Sequence, residues 1–289
     1  MNELFSLLLS GITVGFIYAL VGMGFTVIYN SSGIINFSQG EFVMAGGMSA
    51  VFLLKTGMPF GLVFILSIAI TALLGILLWK LIDISKEKSI ISMIILTLGY
   101  SIFLRGLAAV IFDKELHTLP SFVGNGSFEI FGAVLTYQSL LIMVVSIIIV
   151  ISLHLFFSKT KTGKAMVATS DNVNSAKLMG INIKRILMLN FALSAMIAAI
   201  GGILLAPITS TNYEIGIMLG LKGFSAAVIG GLSQPFGAVV GGLVLGILES
   251  LVAGYISSEY KDAVAFIALL GILFFMPGGI FSNLKAKRV

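Results

Sequence analysis

The chain has 289 residues, 58% of them hydrophobic and only 10% charged, with a mean hydropathy of +1.12. Soluble domains run about 45–50% apolar and about 25% charged, so an ordinary soluble globule, a disordered chain and the default soluble enzyme folds are excluded. Cysteine is absent and the two histidines, His117 and His154, lie far apart, so no disulfide framework or metal-ligand cluster is expected, and no metal. The net charge of +5 sits in short gaps between apolar runs, which does not suit a nucleic-acid partner.

Apolar stretches occur in chain order at 4–29, 42–54, 60–79, 93–112, 137–157, 186–206, 217–234, 236–256 and 263–280. Most are long enough to cross a hydrocarbon core of about 30 Å as helices. The expected fold is therefore all-α: a polytopic transmembrane helix bundle of eight to ten spans, one membrane domain over 1–289. The stretch 42–54 is short, and 217–234 carries Lys222 and many glycines, so short or broken helices are expected near 30–54 and 217–234. No Lys or Arg precedes the first apolar run, so Leu4 onward is expected to be a retained span rather than a signal peptide.

Lys and Arg mark the cytoplasmic side. They collect at 80–92 (Lys80, Lys86, Lys88), at 158–185 (Lys159, Lys161, Lys164, Lys177, Lys184, Arg185) and in the tail (Lys285, Lys287, Arg288). The gaps 113–136, 207–216 and 257–262 then face outward and the C-terminus inward. Parity makes 42–54 and 217–234 crossings. The pairs Gly11/Gly15, Gly237/Gly241 and Gly242/Gly246 allow helix backbones to approach closely, either within one bundle or across a dimer seam.

Three segments carry the polar chemistry. Asn30 to Glu41 is too polar for lipid, yet holds a single charge. Its Asn36, Ser38, Gln39 and Glu41 either cap a helix or line a cavity at membrane depth. The glycine-broken run from Gly220 to Pro235 contains Lys222 and Ser225, and a second interrupted segment of this kind is a pointer to a transport pathway. Between Thr160 and Arg185 a short amphipathic helix is expected, capped by Ser170 or Asp171 and closed at Gly180. It either fixes topology or docks a soluble partner. Arg105 and Glu249 lie inside apolar runs, and each would cost about 2.5–3.5 kcal/mol at the centre of a lone span, so both need a partner or water. Glu249 has two candidate cations, Arg105 and Lys222. His117 reads as a solvated loop residue and His154 as interfacial. No P-loop, zinc motif or nucleophile–base pair occurs, so no enzyme activity and no cofactor of its own are expected.

The run Ile34-Ile35-Asn36-Phe37-Ser38-Gln39-Gly40-Glu41 resembles the I-N-F-A-H-G-E signature of the branched-chain amino-acid permeases of ABC importers, the LivH type. Gly15 to Leu20, Lys222 to Gly231, Glu259 to Asp262 and Met276 to Ile280 are similar to further stretches of that family, in order along the chain. The sequence departs from the pattern at Ser38-Gln39 and Gly223. The resemblance implies a permease subunit for branched-chain amino acids in the cell membrane of a bacterium or archaeon, with urea, short amides or another small solute as alternatives; a stand-alone channel or secondary carrier is the competing class. It implies four kinds of partner: a second permease subunit, two cytoplasmic ATPase subunits that use the ATP, an external substrate-binding protein and membrane lipid. It also implies a coupling segment over about 160–185, including Ala165, Asp171, Ala176, Lys177, Gly180, Ile181 and Asn182.

Overall fold

A computed structural model describes residues 2–87, 89–124, 126–130 and 132–281. Lys88 and the tail residues Lys285, Lys287 and Arg288 lie outside the described residues. Each anticipated apolar stretch is helical over most of its length, 217–234 only to Gly230 and 263–280 only to Phe275. They form α1 (Asn2–Ser32), α2 (Gln39–Lys55), α3 (Phe60–Ile84), α4 (Ile90–Ile111), α5 (Tyr137–Lys159), α8 (Ile183–Thr209), α9 (Ile215–Gly230), α10 (Pro235–Tyr255) and α11 (Lys261–Phe275). The short helices α6 (Lys161–Asp171) and α7 (Val173–Leu178) join α5 to α8. A hairpin of β1 (Ser127–Ile130) and β2 (Ala133–Thr136) precedes α5.

Six of these helices are long and apolar enough to span a membrane: α1, α3, α4, α5, α8 and α10. The other three apolar helices are short. At 1.5 Å per residue, α2 is about 25 Å long and α9 about 24 Å, less than the hydrocarbon thickness. The break in the first half falls where expected, with 33–38 non-helical between α1 and α2. The second short helix and its break also fall within the expected stretch. Residues 215–230 run as one helix, and the chain turns only at 231–234, where Gly231 takes φ +98°. Glycines inside α9 thus serve packing, since a helix buried among others gains more from close approach than it loses in backbone freedom.

α8 is buried over most of its length, while α3, α4 and α5 turn most of their apolar surface outward, the pattern of a bundle whose surrounding solvent is itself apolar. The small-residue pairs are used within the chain. Gly11 and Gly15 of α1 face Gly246 and Gly242 of α10, and a Cβ added to Gly246 would lie 2.4 Å from the Gly11 carbonyl oxygen and 2.5 Å from Gly15 Cα. Gly11/Gly15 and Gly242/Gly246 therefore form an internal α1–α10 seam, while Gly237 and Gly241 pack on Gly230 and Ala226 of α9.

The α6–α7 linker differs from the single helix expected. Ser170 and Asp171 finish α6, and Asn172 caps α7 instead, its side chain accepting from Ser175 N. The C-terminal end matches the expectation. Gly180 takes φ +78°, and the N–H groups of Gly180 and Ile181 donate to the carbonyls of Lys177 and Ala176.

Candidate translocation site

Two buried polar clusters and one cavity stand out in the apolar bundle. The first cluster is built where α2 begins. Ser38, in front of α2, makes no side-chain cap; its hydroxyl donates to the Thr97 carbonyl of α4 at 2.6 Å. The Phe37 N–H donates to the Thr97 hydroxyl, and Asn36 Oδ1 accepts from Ser38 N. Gln39 is gripped by α8: Ser194 Oγ lies 2.7 Å from its Oε1, and its Nε2 donates to the Ser194 carbonyl at 3.3 Å. These bonds satisfy backbone and amide groups that lipid could not.

One turn on, Glu41 is 2% exposed. Its Oε1 accepts from Ser101 Oγ at 2.9 Å and lies 3.4 Å from Arg105 Nε. Its Oε2 has no hydrogen-bond partner among the described residues and points at the first turn of α9, close enough that a Cβ on Gly216 would sit 2.7 Å away. The amino ends of α2 and α9 meet here, Gly40 against Gly216 and Gly220. Two helix dipoles and one guanidinium therefore favour the charge on Glu41. The Arg105 side chain remains 28% exposed, so the pair presents its cation toward the accessible side.

The second cluster ties α1, α9, α10 and α11. Lys222 Nζ lies 3.1 Å from Glu249 and 2.6 Å from Asp262, and the Tyr18 hydroxyl donates to Glu249 Oε2 at 2.7 Å. The choice between two cations for Glu249 is resolved: Lys222 pairs with Glu249, and Arg105 with Glu41. Ser225 joins neither cluster; it is fully buried and its hydroxyl donates to the Leu221 carbonyl.

The cavity, about 1060 Å³, opens at the end of the bundle that carries α6. Its wall includes Met23, Val27, Leu153, Asn190, Phe224 and Val228. Phe224 packs against Phe25 and Phe37, with centroids 5.7 and 6.2 Å apart, and Ile35, next to Asn36, also lines the cavity. His154 also lines the cavity. At the opposite end His117 is not a solvated loop residue: it bridges to Thr211 through paired backbone bonds. Lys55 can only donate to its Nδ1, at 3.3 Å, so Nε2 carries the proton toward Asp113 Oδ1 at 3.0 Å. The Glu115 backbone N–H, and then this ring N–H, hold the Asp113 carboxyl below the usual range.

The profile of the branched-chain amino acid transport system permease component matches residues 7–273. The chain belongs to this permease family. It is 33% identical to the high-affinity branched-chain amino acid transport system permease protein LivH of Salmonella typhimurium, over 97% of this chain and 96% of that protein. It is likewise 33% identical to BraD of Pseudomonas aeruginosa, over 98% and 97% of the two chains. PsaBC of Streptococcus pneumoniae, solved in complex with a Fab, shares the fold at a TM-score of 0.54 and 17% identity, over 99% of this chain and 96% of that one. The family is a transport component rather than an enzyme, and six long apolar helices make this permease a multi-pass membrane protein.

The sequence reading of this permease missed Tyr18, Thr97, Ser101, Asn190, Ser194 and Asp262. Thr97, Ser101 and Ser194 are single small hydroxyls in apolar runs, and such residues commonly bond their own helix. Only the crossing of α2 with α4 and α8 shows which of them do otherwise. Tyr18 lies in the stretch that resembles the family's first span, and Asp262 in its last loop; the partner that joins them, Lys222, is far away in sequence.

Proposed function

We propose that this permease is the membrane-spanning subunit of an ATP-driven importer for branched-chain amino acids delivered by an external binding protein. The observation that carries the reading is identity of 33% over nearly the full length to both LivH and BraD, whose names state branched-chain amino acid transport. A second homologous permease and two ATPase subunits complete the assembly, and this chain binds neither ATP nor another cofactor. The basic α6–α7 end is cytoplasmic, on the positive-inside rule, and the β-hairpin end is external. The residues read as pathway or buried polar groups are Asn36, Ser38, Gln39, Glu41, Arg105, Lys222, Ser225 and Glu249. Among them the Glu41–Arg105 pair suits the solute best, because a zwitterion presents one ammonium and one carboxylate to one anion and one cation.

Radiolabelled leucine uptake tests the reading, in cells lacking this chain, with and without binding protein and ATP. Uptake that returns with the chain and needs both supports it. Uptake independent of both moves the protein to a channel or secondary carrier, and absence of leucine uptake in an intact system moves the solute to urea or short amides.

The coupling surface is assigned to 160–185, with Ala165 and Asp171 on α6, Ala176 and Lys177 on α7, and Gly180, Ile181 and Asn182 at the turn into α8. Its support is exposure: Leu178 and Met179 are 90% and 78% exposed beside Lys177, an apolar tip flanked by charge. Lys184 instead pairs with Asp83 of α3 at 2.9 Å. Lys177→Glu is therefore expected to reduce co-purification of the ATPase several-fold with unchanged membrane yield, and Lys184→Glu to act less. Equal recovery of ATPase with Lys177→Glu would remove this surface from the coupling role.

A further inference from the structure

The cavity at the α6 end contains a group that the bundle itself leaves unserved. Asn190 of α8 contributes to its wall and is only 1% exposed. Neither its Nδ2 nor its Oδ1 has a hydrogen-bond partner among the described residues. A buried amide without partners is destabilising, and native interiors rarely keep one without a use. A leucine, with the same branched shape, would leave no polar atom unserved here. Part of the wall is aliphatic or aromatic, with Met23 and Val27 from α1, Leu153 from α5 and Phe224 and Val228 from α9, and part is polar, with Asn30, His154, Asp171 and Gln234. A cavity with an apolar stretch of wall and a small number of polar groups is the composition of a small-molecule site.

A carboxamide donates through Nδ2 and accepts through Oδ1. It matches a ligand that carries an acceptor and a donor on adjacent atoms, and the apolar wall matches an aliphatic substituent beside them. From this geometry we infer that the cavity is a resident binding chamber for an aliphatic α-amino acid, with Asn190 as its polar anchor. The carboxylate accepts from Nδ2 and the ammonium donates to Oδ1, while the side chain lies against Met23, Val27 and Val228. Phe224, packed on Phe25 and Phe37, and Ile35 form its wall beside the Asn36–Gln39 segment. The inference rests on the amino-acid reading above and adds a second station to it, at the α6 end of the bundle and apart from Glu41 and Arg105.

The test uses the whole transporter, purified with its partners, and photo-leucine, a leucine analogue with a diazirine side chain. Peptides from 23–27 and 224–228 are expected to be labelled, unlabelled leucine to compete, and alanine to compete less. Asn190→Leu is expected to weaken leucine competition about tenfold or more, since hydrogen bonds to charged groups are lost. The same variant is expected to raise the melting temperature of the empty transporter, because two unserved polar atoms leave the interior; a merely structural asparagine would give the opposite sign. Asn190→Gln is expected to restore part of the labelling. Absence of label from these peptides, or undiminished label in Asn190→Leu, overturns the chamber. So does a fall in melting temperature in Asn190→Leu with labelling intact, which marks an amide served by resident water. Leucine uptake in the same preparation separates the two readings: uptake without chamber labelling defeats only the chamber, whereas labelling without uptake defeats only the import reading.

Discussion

Lys222→Met is expected to cost about 3–5 kcal/mol of stability, the range for breaking a buried ion pair from one side. Glu249 is 5% exposed and Lys222 likewise 5%, so the carboxylate left behind has little water to turn to. Tyr18 would remain as its donor at 2.7 Å, but one neutral hydroxyl does not replace an ammonium within 3.1 Å. Asp262, at 2.6 Å from Lys222 and 42% exposed, can reach solvent, so most of the loss arises at Glu249. The double variant Lys222→Met/Glu249→Gln is expected to regain much of that stability, because a buried neutral pair carries no uncompensated charge. Thermal unfolding of the purified permease in detergent, with both single variants, measures the coupling. Single variants as stable as the parent would show that the network does not hold α1, α9, α10 and α11 together. Glu249→Gln alone is expected to impair leucine uptake or membrane yield, and a parental level of both would show that the charge is dispensable.

Gly246→Val is expected to abolish the folded bundle rather than soften it. The new Cβ would meet backbone atoms of α1 at 2.4 and 2.5 Å, and backbone cannot rotate away as a side chain can. Overpacking against side chains costs about 1–3 kcal/mol. Here α1 and α10 must separate along their shared face, and α1 also carries Tyr18 and Gly24, which serve both polar clusters. Gly61→Val, at a glycine with nothing within 4 Å of an added Cβ, is the control and should express normally. Detergent-resistant, monodisperse protein from Gly246→Val would show that the seam tolerates separation.

The linker helices show how far local signals reach. Gly180 was legible as a cap because a positive φ after a helix favours glycine over any residue with a Cβ. The N-cap was misplaced by one or two residues, since Ser170, Asp171 and Asn172 all have capping side chains and only the end of α6 decides among them. The pairing of Glu249 shows the opposite limit. Both cations lie in apolar runs of similar hydropathy, and nothing local says which helix faces α10.

The nine apolar runs, the break before α2 and the short length of α9 follow from the sequence alone, because span length and backbone satisfaction in lipid are local constraints. The resemblance carried by the run from Ile34 to Glu41 was also there to be read. Which buried charge meets which, that the glycine pairs close on one another within the chain, that Ser194 and Thr97 hold the broken segment, and that Asn190 stands unserved at a cavity were decided only by tertiary structure. The reason is physical: the groups concerned lie between 27 and 231 residues apart in sequence for the Glu249 contacts. An interaction across such distances depends on how the helices are rotated about their axes, which the apolar pattern leaves free when lipid and protein interior are equally apolar.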